Sequence, residues 1–427
     1  MKKYDSYIDS GIQWIGEIPS QWKTKRLKFF AKICNGQDHK AVNEEAGMYP
    51  IYGSGGQFGA ANEYLYDKPS VLLGRKGTID KPRYVEHPFW TVDTAYYTKV
   101  LQCNDTKFFY YLCTTINFEL YKYGSAIPSM TQGTLNDIVF CSPSFEEQIA
   151  IANYLDQKTA QIDDLIAKKE RLIQLLEEER TAIINQAVTK GLDLTVPMKD
   201  SGIEWLGEIP AHWEVKSFRF CIDILTDYTA NGSFASLAEN VTYYDSGYSR
   251  LVRLTDLRVD LLNEGLYVDE HAHNFLKKSE LFGGEILIAN VGAYAGLVMQ
   301  MPIMEGKFTL GPNMFLVRLN QNTEFFLTQL NAPFCAEQLK MMSVSSAQPK
   351  LNKENIRQLK VITPPIEEQN LIANHILKEK SRIETITAKT QQEIELLKEY
   401  KTALISEVVT GKVDVSTSST QVLGMKN

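Results

Sequence analysis

Apolar residues recur at helical spacing in two long segments of this chain. Within residues 143–197, and again within 364–415, apolar residues recur at spacings of three, four and seven, with charged residues and glutamines between them. This periodicity predicts two helices of about 45 residues, each roughly 65 Å long. Such long apolar stripes cannot stay in water, so we expect the helices to pack on each other as an antiparallel coiled coil with an insert at either end. The predicted inter-helix packing residues are Leu155, Ile162, Ile166, Ile173, Leu176, Ile183, Ile376, Ile383, Ile394, Leu397 and Leu404, and Leu165 also falls on the first stripe.

The chain contains an internal repeat. The segment Asp9–Trp22 returns as Asp200–Trp213, 191 residues later, and Pro143–Gln148 returns as Pro364–Gln369, 221 residues later. The two offsets differ by 30 residues, so the segments between the matched blocks differ in length. A repeat of this kind fixes the architecture more firmly than local propensity does. We therefore predict a duplicated frame that carries two diverged inserts.

The matched blocks also predict how the frame is built. Ser144 with Glu147 fits a capping box, and Thr363 followed by Pro364 fits an N-cap with proline at the first helical position. The tryptophans of the frame are expected to be packing residues, followed by a turn at Pro19 or Pro210; they are Trp14, Trp22, Trp205 and Trp213.

The inserts read as mixed α/β globules with many loops. Short apolar runs bounded by glycine and polar residues predict strands. Those runs are Val71–Leu73, Phe89–Val92, Glu285–Ala289, Gly296–Met299 and Met314–Arg318. The glycine-rich and aromatic segment Tyr49–Gly59 predicts a turn-rich loop between short strands.

Composition excludes several classes of protein. A chain of 427 residues with 44% hydrophobic and 23% charged residues is typical of a globular protein with more than one domain. Its apolar runs fall far short of a membrane span, so we expect a cytoplasmic protein. The six cysteines are widely spread and are expected to be buried thiols, while His271 and His273 are expected to face solvent.

Motifs for catalysis are missing from the sequence. The glycines around Gly53–Gly56 match neither a P-loop nor a dinucleotide fingerprint, and no hydrolase or adenine-methyltransferase motif occurs. We therefore predict a recognition protein without an active site and without a bound metal.

Charge is distributed unevenly over the inserts. The net charge of −7 argues against nucleic-acid binding, but residues 23–142 carry a net charge of +3 and residues 143–197 carry −4. Residues 214–363 are net −2, yet their arginines cluster at Arg250, Arg253 and Arg258. In the first insert, Arg75 and Lys76 stand between two glycines, which lets backbone amides and side chains share one anion. A solvated surface turn explains this pattern about as well.

The order of frame, insert, long helix, frame, insert and long helix resembles the DNA-specificity subunit of type I restriction-modification systems. The resemblance covers nearly the whole chain and depends on the openings Trp14–Pro19 and Trp205–Pro210 and the helix starts Pro143–Gln148 and Pro364–Gln369. Gly74–Gly77 and Val92–Thr94 also look like parts of the family's target-recognition domains. The second insert departs from this pattern, because Ala289–Gly292 stands where a basic turn would be expected.

The resemblance implies an α+β fold with two mixed α/β target-recognition domains, a pair of long antiparallel coiled-coil helices between them and a pseudo-twofold repeat. The expected segments are a frame segment at 1–22, the first target-recognition domain at 23–142, the first long helix at 143–197, the repeated frame at 198–213, the second target-recognition domain at 214–363, the second long helix at 364–415 and a flexible tail at 416–427.

The resemblance also implies the function and the partners. Each insert would read one half of a split double-stranded DNA target, and the helices would set the spacing between the halves. Two methyltransferase subunits and the restriction and translocase subunits would assemble with the chain. S-adenosylmethionine, ATP and magnesium would be held by those partners and not by this chain.

Polar and basic loop residues are the candidates for DNA contact. They are Lys23, Lys25, Arg26, Lys28, Tyr52, Ser54, Gln57, Arg75, Lys76, Thr78, Thr94, Arg250, Arg253, Arg258, Asn290, Tyr294 and Asn313. The competing interpretation is a non-catalytic coiled-coil scaffold whose two globular domains bind proteins.

Overall fold

A computed structural model of the chain describes residues 2–124, 127–204, 206–259, 261–262, 264–343 and 349–415. The chain divides into two compact units: unit 1 is Met1–Arg171 with Thr390–Asn427, and unit 2 is Leu172–Lys389. Trp205, expected to be a packing residue, and the tail 416–427, expected to be flexible, lie outside the described residues.

Two long helices, Phe145–Lys190 and Ile366–Val409, contain 46 and 44 residues. Their lengths confirm the prediction from the apolar spacing. Each helix contributes residues to both units. None of the helices in the described part of the chain is both long and apolar enough to cross a lipid bilayer.

The long helices pack antiparallel within each unit. In unit 1, Lys169 pairs with Glu393, and Lys401 pairs with Asp163 at 2.7 Å, so residue numbers rise on one helix as they fall on the other. In unit 2, Arg382 pairs with Glu179 at 2.7 Å in the same sense. The predicted antiparallel arrangement is therefore confirmed in both units.

The predicted inter-helix residues lie on the covered side of the helices. Leu155 and Leu404 share the unit 1 core, and Ile376 packs with Ala187 and Val188 in the unit 2 core. The remaining positions of the predicted stripes are buried or half-buried; they are Ile162, Ile166, Ile173, Leu176, Ile183, Ile383, Ile394 and Leu397. Leu165 is 42% exposed, because it lies one position before Ile166 and therefore off the packed face.

Unit 1 contains a four-stranded sheet, a three-stranded sheet and two ribbons. The four-stranded sheet has the order Ala31–Asn35, Ala95–Val100, Ser70–Gly74 and Arg83–Val85, and the three-stranded sheet has the order Gly56–Ala61, Tyr49–Gly53 and Trp90–Thr91. The ribbons are Tyr7–Asp9 with Glu17–Pro19 and Lys23–Arg26 with Val139–Ser142. Short helices are Thr106–Thr114 and Gln132–Asp137, with 3-10 turns at Leu27–Phe29 and Phe118–Leu120.

Unit 2 contains two four-stranded sheets and two ribbons. The first sheet has the order Ile222–Asp227, Met314–Leu319, Ile286–Ala289 and Val298–Gln300, and the second has the order Leu266–Val268, Ser249–Val252, Phe308–Leu310 and Glu280–Leu281. The ribbons are Met198–Asp200 with Glu208–Pro210 and Glu214–Ser217 with Lys360–Thr363. Its short helices are Phe234–Asn240, Leu254–Val259, Glu270–Phe275, Thr323–Asn331, Pro333–Ser343 and Lys353–Gln358, with 3-10 turns at Phe218–Phe220, Tyr228–Asn231 and Lys277–Ser279.

The five runs predicted as strands all overlap strands, although only half of Phe89–Val92 and half of Gly296–Met299 is extended. Tyr49–Gly59 forms most of a hairpin whose turn is Gly53–Gly56. The predicted loop was too long, because only the turn between the two strands is a loop. The many glycines and aromatic residues in this segment did not indicate the two strands that pair across the turn.

The duplicated tryptophans are held by the duplicated glutamates at the helix starts. Trp22 Nε1 donates to Glu147 Oε2 at 2.9 Å, and Trp213 Nε1 donates to Glu368 Oε2 at 2.8 Å. The tryptophans are 2% and 0% exposed, so each indole N–H is satisfied inside a core. In unit 1 the same carboxylate accepts from the Tyr4 hydroxyl at 2.7 Å.

The expected cap of the first helix is partly right. Glu147 N–H donates to Ser144 Oγ at 3.2 Å, but the Glu147 carboxylate is engaged by Trp22 and Tyr4 and does not complete a capping box. The second cap was placed wrongly, because Thr363 ends the strand Lys360–Thr363 and the helix begins at Ile366.

The structure corrects three further expectations about single residues. Trp14 is 43% exposed, in contrast to the buried Trp22 and Trp213. His273 is buried, with Nε2 3.4 Å from Glu280, although its neighbour His271 is exposed as expected. Among the cysteines, Cys103 is exposed and Cys34 half-buried, while the other four are buried.

A glycine with left-handed backbone follows each long helix. Gly191 has φ +76° and Gly411 has φ +74°, as is common where a helix ends. A Cβ on Gly411 would lie 2.4 Å from Pro19 Cδ and 3.0 Å from Trp22 Cζ3. Only glycine lets this helix end pack so closely on the frame segment.

Replacing Gly411 with alanine should therefore destabilise the full chain. The left-handed conformation alone costs about 1–2 kcal/mol, and the overlap with Pro19 should add about 1–3 kcal/mol. Gly11→Ala is the matched control, because Gly11 has φ +70° and open space around its missing Cβ. Urea unfolding of the two variants measures the difference, and equal losses of stability would contradict the packing argument.

Candidate nucleic-acid interface

The Gly74–Gly77 turn lies at the end of the strand Ser70–Gly74 in unit 1. Its main chain is fixed on two sides: Arg75 N–H donates to Thr94 O at 2.9 Å, and Gly77 N–H donates to Pro128 O at 2.9 Å. A Cβ on Gly74 would lie 2.2 Å from Thr78 O. The glycine is thus required by close main-chain approach, and the turn is a fixed platform for Arg75 and Lys76.

Three loops meet at this platform. Ser54, in the hairpin turn, donates its N–H to Thr94 Oγ1 at 3.3 Å. Its Oγ lies 3.3 Å from the position of a Cβ on Gly77. Gln57 is exposed on the strand that pairs with Tyr52, and Thr78 is half-buried directly after the turn. The structure therefore brings together most of the candidates predicted in the first insert outside its N-terminal stretch.

The Arg75 side chain is partly fixed by its surroundings. Its Nη1 donates to Asp93 O at 3.3 Å, and its guanidinium carbon lies 5.9 Å from the centre of the Tyr96 ring. Burial raises the pKa of Tyr96, and the positive charge of Arg75 acts in the opposite direction. Lys76 is exposed, so the turn presents one partly fixed and one solvent-exposed cation.

Arg83 belongs to the same surface, although sequence reasoning missed it. It is exposed at the start of the strand Arg83–Val85, and its guanidinium carbon lies 5.9 Å from the centre of the Tyr52 ring. Tyr52 itself is 7% exposed, so it supports Arg83 and is not placed to contact a base. A basic residue isolated in a strand gives no cluster signal, and only the fold places Arg83 beside the turn.

The four basic residues at the start of the first insert form a separate group. Lys23, Lys25 and Arg26 lie on the ribbon strand that pairs with Val139–Ser142, just before the first long helix. Arg26 pairs with Asp137 at 3.2 Å, and Lys28 lies over Phe29. All four are exposed, but their contacts are with this ribbon and the following 3-10 turn and not with the loop cluster.

Unit 2 builds the same platform from different residues. Asn290 N–H donates to Asn313 O at 3.1 Å, and Gly292 N–H donates to Pro349 O at 3.0 Å. The carbonyl of Asn290 accepts from Leu351 N–H at 2.8 Å, as that of Arg75 accepts from Met130 N–H at 2.9 Å. Three matching main-chain bonds show that Ala289–Gly292 is the structural counterpart of Gly74–Gly77.

In the second platform, the cation lies on the segment that pairs with the turn and not on the turn itself. Lys76 lies across from Ser129 in unit 1, whereas Val291 lies across from Lys350 in unit 2. Lys350 is exposed and was not among the predicted residues. The signal that could have found it is its position directly after Pro349, which matches Pro128 in the repeat.

The clustered arginines of unit 2 have three different environments. Arg250 is 6% exposed and its guanidinium carbon lies 5.7 Å from the centre of the Tyr267 ring, so little of this predicted contact residue faces solvent. Arg253 forms a two-point pair with Asp256, with Nε 3.0 Å from Oδ2 and Nη2 2.7 Å from Oδ1. Arg258 is exposed, with its guanidinium carbon 3.8 Å from the centre of the Tyr294 ring.

The amide candidates of unit 2 are held by the platform. Asn313 is exposed and has φ +69°, the only positive φ of a non-glycine residue in the described part of the chain. Asn290 is half-buried, and its Oδ1 is covered without a hydrogen-bond partner. Asn290, Tyr294 and Asn313 thus lie on or directly beside one turn, as the first-insert candidates do.

A polar bridge stands beside each platform. Gln132 Nε2 donates to Asn35 Oδ1 at 2.9 Å in unit 1, and Lys353 Nζ lies 3.1 Å from Asp227 Oδ1 in unit 2. In both cases a side chain at the end of a sheet strand binds the first turn of a short helix. The bridges occupy equivalent places with different chemistry, and neither pair was predicted.

Among the residues that the structure describes, no three His, Cys, Asp and Glu side chains lie close enough together to hold a metal ion. The two platforms carry exposed Lys76, Lys350 and Asn313, next to half-buried Arg75 and Asn290, on turns held by main-chain hydrogen bonds. That combination suits hydrogen bonding to phosphates and to base edges.

The type I restriction modification DNA specificity domain family matches this chain twice, at residues 19–175 and 244–396. The two matches cover well over half of the chain and fall on its two repeats. The chain therefore belongs to this family, whose subunits are non-catalytic DNA-recognition components.

Relatives and solved structures agree with the family assignment. The chain is 22% identical to the type I restriction enzyme EcoDI specificity subunit of Escherichia coli, over 84% of this chain and 82% of the relative. It is also 22% identical to the MjaVIII specificity subunit of Methanocaldococcus jannaschii, over 93% and 94%.

Two solved structures share the fold. An HsdS subunit from Thermoanaerobacter tengcongensis gives a TM-score of 0.58 at 12% identity, covering 93% of this chain and 98% of that one. A chain from a study of assembly and conformational transition in the type I R-M system gives 0.63 at 14% identity, covering 93% and 99%. The predicted α+β fold with a duplicated recognition domain and long helices is confirmed.

We predict that Arg253 stabilises the folded chain through its pair with Asp256. Burial opposes ionisation of Asp256, but the hydrogen bonds and charge of Arg253 outweigh it and keep the pKa of this carboxyl below its usual value. Arg253→Ala removes the guanidinium from that buried carboxylate and leaves it only the main-chain N–H of residue 253, 2.9 Å from Oδ2, so the variant should lose about 1–3 kcal/mol of stability at neutral pH.

Urea unfolding of Arg253→Ala and of Arg253→Ala/Asp256→Asn, measured at several pH values, checks this prediction. The double variant should lose less stability than the single one. Because the folded-state pKa of Asp256 is lowered, the contribution of the pair is present above the unfolded pKa and disappears as pH falls through the folded value. A single variant as stable as the parent at pH 7 would contradict the assignment.

Proposed function

We propose that the chain reads a bipartite, asymmetric DNA target, one half with each platform, within a type I restriction-modification complex. The observation that carries the proposal is the duplicated platform. The same three main-chain bonds hold Gly74–Gly77 and Ala289–Gly292, while the side chains on them differ. A main-chain support that is the same in both platforms, with different side chains on it, would let the two platforms read different DNA sequences.

Base readout would come from the exposed side chains of the platforms. Arginine and lysine suit the O6 and N7 acceptors of guanine, and asparagine and glutamine suit adenine. Unit 1 offers the exposed Lys76 and Gln57 and the half-buried Arg75, whereas unit 2 offers the exposed Asn313, Arg258 and Lys350. The two halves of the target would therefore have different sequences.

The partners follow from the repeat. Two methyltransferase subunits would bind equivalent surfaces of the two repeats and place an adenine-N6 methylating site beside each half-site, and the restriction and translocase subunits would join this complex. S-adenosylmethionine, ATP and magnesium would be bound by those subunits. The acidic balance of the chain, −7 overall, fits a complex in which the partners neutralise much of the DNA backbone charge.

The rival function is a coiled-coil scaffold that binds proteins alone. A salt titration separates the two. With its methyltransferase partner, the chain should bind DNA that carries its target tightly, and the logarithm of the binding constant should fall linearly with the logarithm of salt concentration, by about 0.9 per phosphate contact. DNA with one scrambled half-site is the control. If the affinity changes neither with salt concentration nor with the scrambled half-site, DNA recognition is excluded and the scaffold interpretation is retained.

The helix pair is proposed to set the spacing between the half-sites. Removing Lys168–Gln174 together with residues 388–394, the seven opposite residues inferred from the Lys169–Glu393 pair, shortens the helices by roughly 10 Å. At 3.4 Å per base pair, the preferred spacer should become about 3 base pairs shorter, with unchanged half-site sequences. Mapping of methylated adenines across a genome measures this.

The matched control keeps the helix length. Lys168 and Glu170 are exposed, and replacing both with glutamine should leave the spacer as it is in the parent. If the shortened chain still methylates sites with the parental spacer, the helices do not set the distance.

A further inference from the structure

Each unit contains one exposed arginine that rests on a tyrosine ring beside its platform. In unit 1, the guanidinium of Arg83 lies 5.9 Å from the centre of the Tyr52 ring, and in unit 2 that of Arg258 lies 3.8 Å from the centre of the Tyr294 ring. We call Arg83 and Arg258 the ring-supported arginines. Among the described residues, neither makes an ion pair or a side-chain hydrogen bond.

Support by a ring leaves the hydrogen-bonding edges of a guanidinium available. The attraction to an aromatic ring acts through the ring's face, whereas the five N–H donors of arginine point outward in the guanidinium plane. The ring also restricts the position of the side chain, so less conformational entropy is lost when it binds. Such an arginine is prepared for a planar two-point acceptor.

Other arginines use their N–H donors in hydrogen bonds and ion pairs within the protein. Arg253 is bound at two points by Asp256. Arg318 lies over Phe282, but its Nη2 donates to Glu280 O at 2.7 Å and to Glu285 Oε1 at 3.1 Å. Arg26 is paired with Asp137. An aromatic neighbour alone therefore does not define the group, since Arg83 and Arg258 also keep their donors uncommitted.

Both ring-supported arginines lie at the platforms. Arg83 Nη2 would be 2.9 Å from a Cβ on Gly56, at the hairpin turn whose Ser54 contacts Gly77. Tyr294, which supports Arg258, follows the Ala289–Gly292 turn, where Leu297 N–H donates to its carbonyl at 2.9 Å. The two arginines are not equivalent positions of the repeat, because Arg83 begins a strand and Arg258 lies in the short helix Leu254–Val259.

We propose that Arg83 and Arg258 are specificity-determining residues, each reading a guanine in its own half-site. This inference rests on the proposed function. The guanidinium fork matches the O6 and N7 acceptors on the major-groove edge of guanine, and no other base presents two acceptors there. Each half of the target thus contains a guanine whose recognition depends on one ring-supported arginine.

Lysine substitution separates base reading from phosphate binding. Arg83→Lys and Arg258→Lys keep the positive charge but lose the planar fork. Each variant is assembled with its methyltransferase partner. Binding is measured on DNA in which each base pair of each half-site is changed in turn, and methylated adenines are mapped across a genome.

Arg83→Lys should reduce discrimination at one guanine of the first half-site by roughly 5- to 150-fold and leave the second half-site unchanged. Arg258→Lys should do the same in the second half-site only. Arg26→Lys and Arg253→Lys are the matched controls and should leave the methylated sequence unchanged in both halves. Methylation at relaxed sites itself shows that a variant is folded, and unfolding temperatures provide a second check.

The outcomes separate this inference from the proposed function. A parent chain that directs methylation to a bipartite target, together with lysine variants that keep the parental sequence, overturns the assignment and leaves the proposed function standing. Uniformly weaker binding to all sequences by Arg83→Ala, with the salt slope reduced by about one contact and no change in discrimination, identifies a phosphate contact and also overturns it. A parent complex that selects no bipartite target would remove the proposed function first.

Discussion

A buried glutamine at the start of each long helix joins that helix to the insert of the same unit. Gln148 is 1% exposed and Gln369 is 0% exposed. Gln148 donates to Pro143 O at 3.2 Å and accepts from Asp105 N–H at 2.9 Å, where the helix Thr106–Thr114 begins. Gln369 donates to Pro364 O at 2.8 Å and accepts from Asn322 N–H at 3.1 Å, where Thr323–Asn331 begins. A buried amide that loses one of these partners costs free energy, so the joint is closely constrained.

The glutamate before each glutamine adds the frame segment to the same joint. Glu147 binds Trp22, and Glu368 binds Trp213, through indole N–H donors. Because the bonds come from adjacent residues on one helical turn, the tryptophan, the insert and the helix are fixed with respect to one another within each unit. The glycine that ends the other long helix packs on the same tryptophan: Gly411 on Trp22 and Gly191 on Trp213. The residues that make these contacts are among those that the two repeats share.

Local and periodic features of the fold could be predicted from the sequence, and contacts distant along the chain could not. The spacing of Leu155, Ile162 and Leu404 is a property of one helix at a time, and it predicted both helices and their mutual packing. The role of Glu147 was only half predicted, because the donor that captures its carboxylate lies 125 residues earlier. His273 could not be assigned as buried, since the residue that it meets, Glu280, approaches from a separate strand.

The same distinction holds for the candidate interface. Gly74–Gly77 was recognisable because glycine and cations are adjacent in sequence, and the structure supplied the reason for Gly74 in the approach of Thr78. Arg83 and Lys350 were missed because single basic residues carry no pattern, while Arg250 and Tyr52 were chosen although the fold covers them. Whether a polar side chain faces solvent depends on strand pairing, which residue type alone does not determine.

The joint at Gln148 and Gln369 also explains how the repeated frame can hold two inserts of different length. Each glutamine recognises a main-chain amide at the start of an insert helix, and any residue other than proline supplies that group. The two inserts differ in length, yet a helix begins at the required amide in each, so this joint sets the position of one helix start and leaves the length of the insert open.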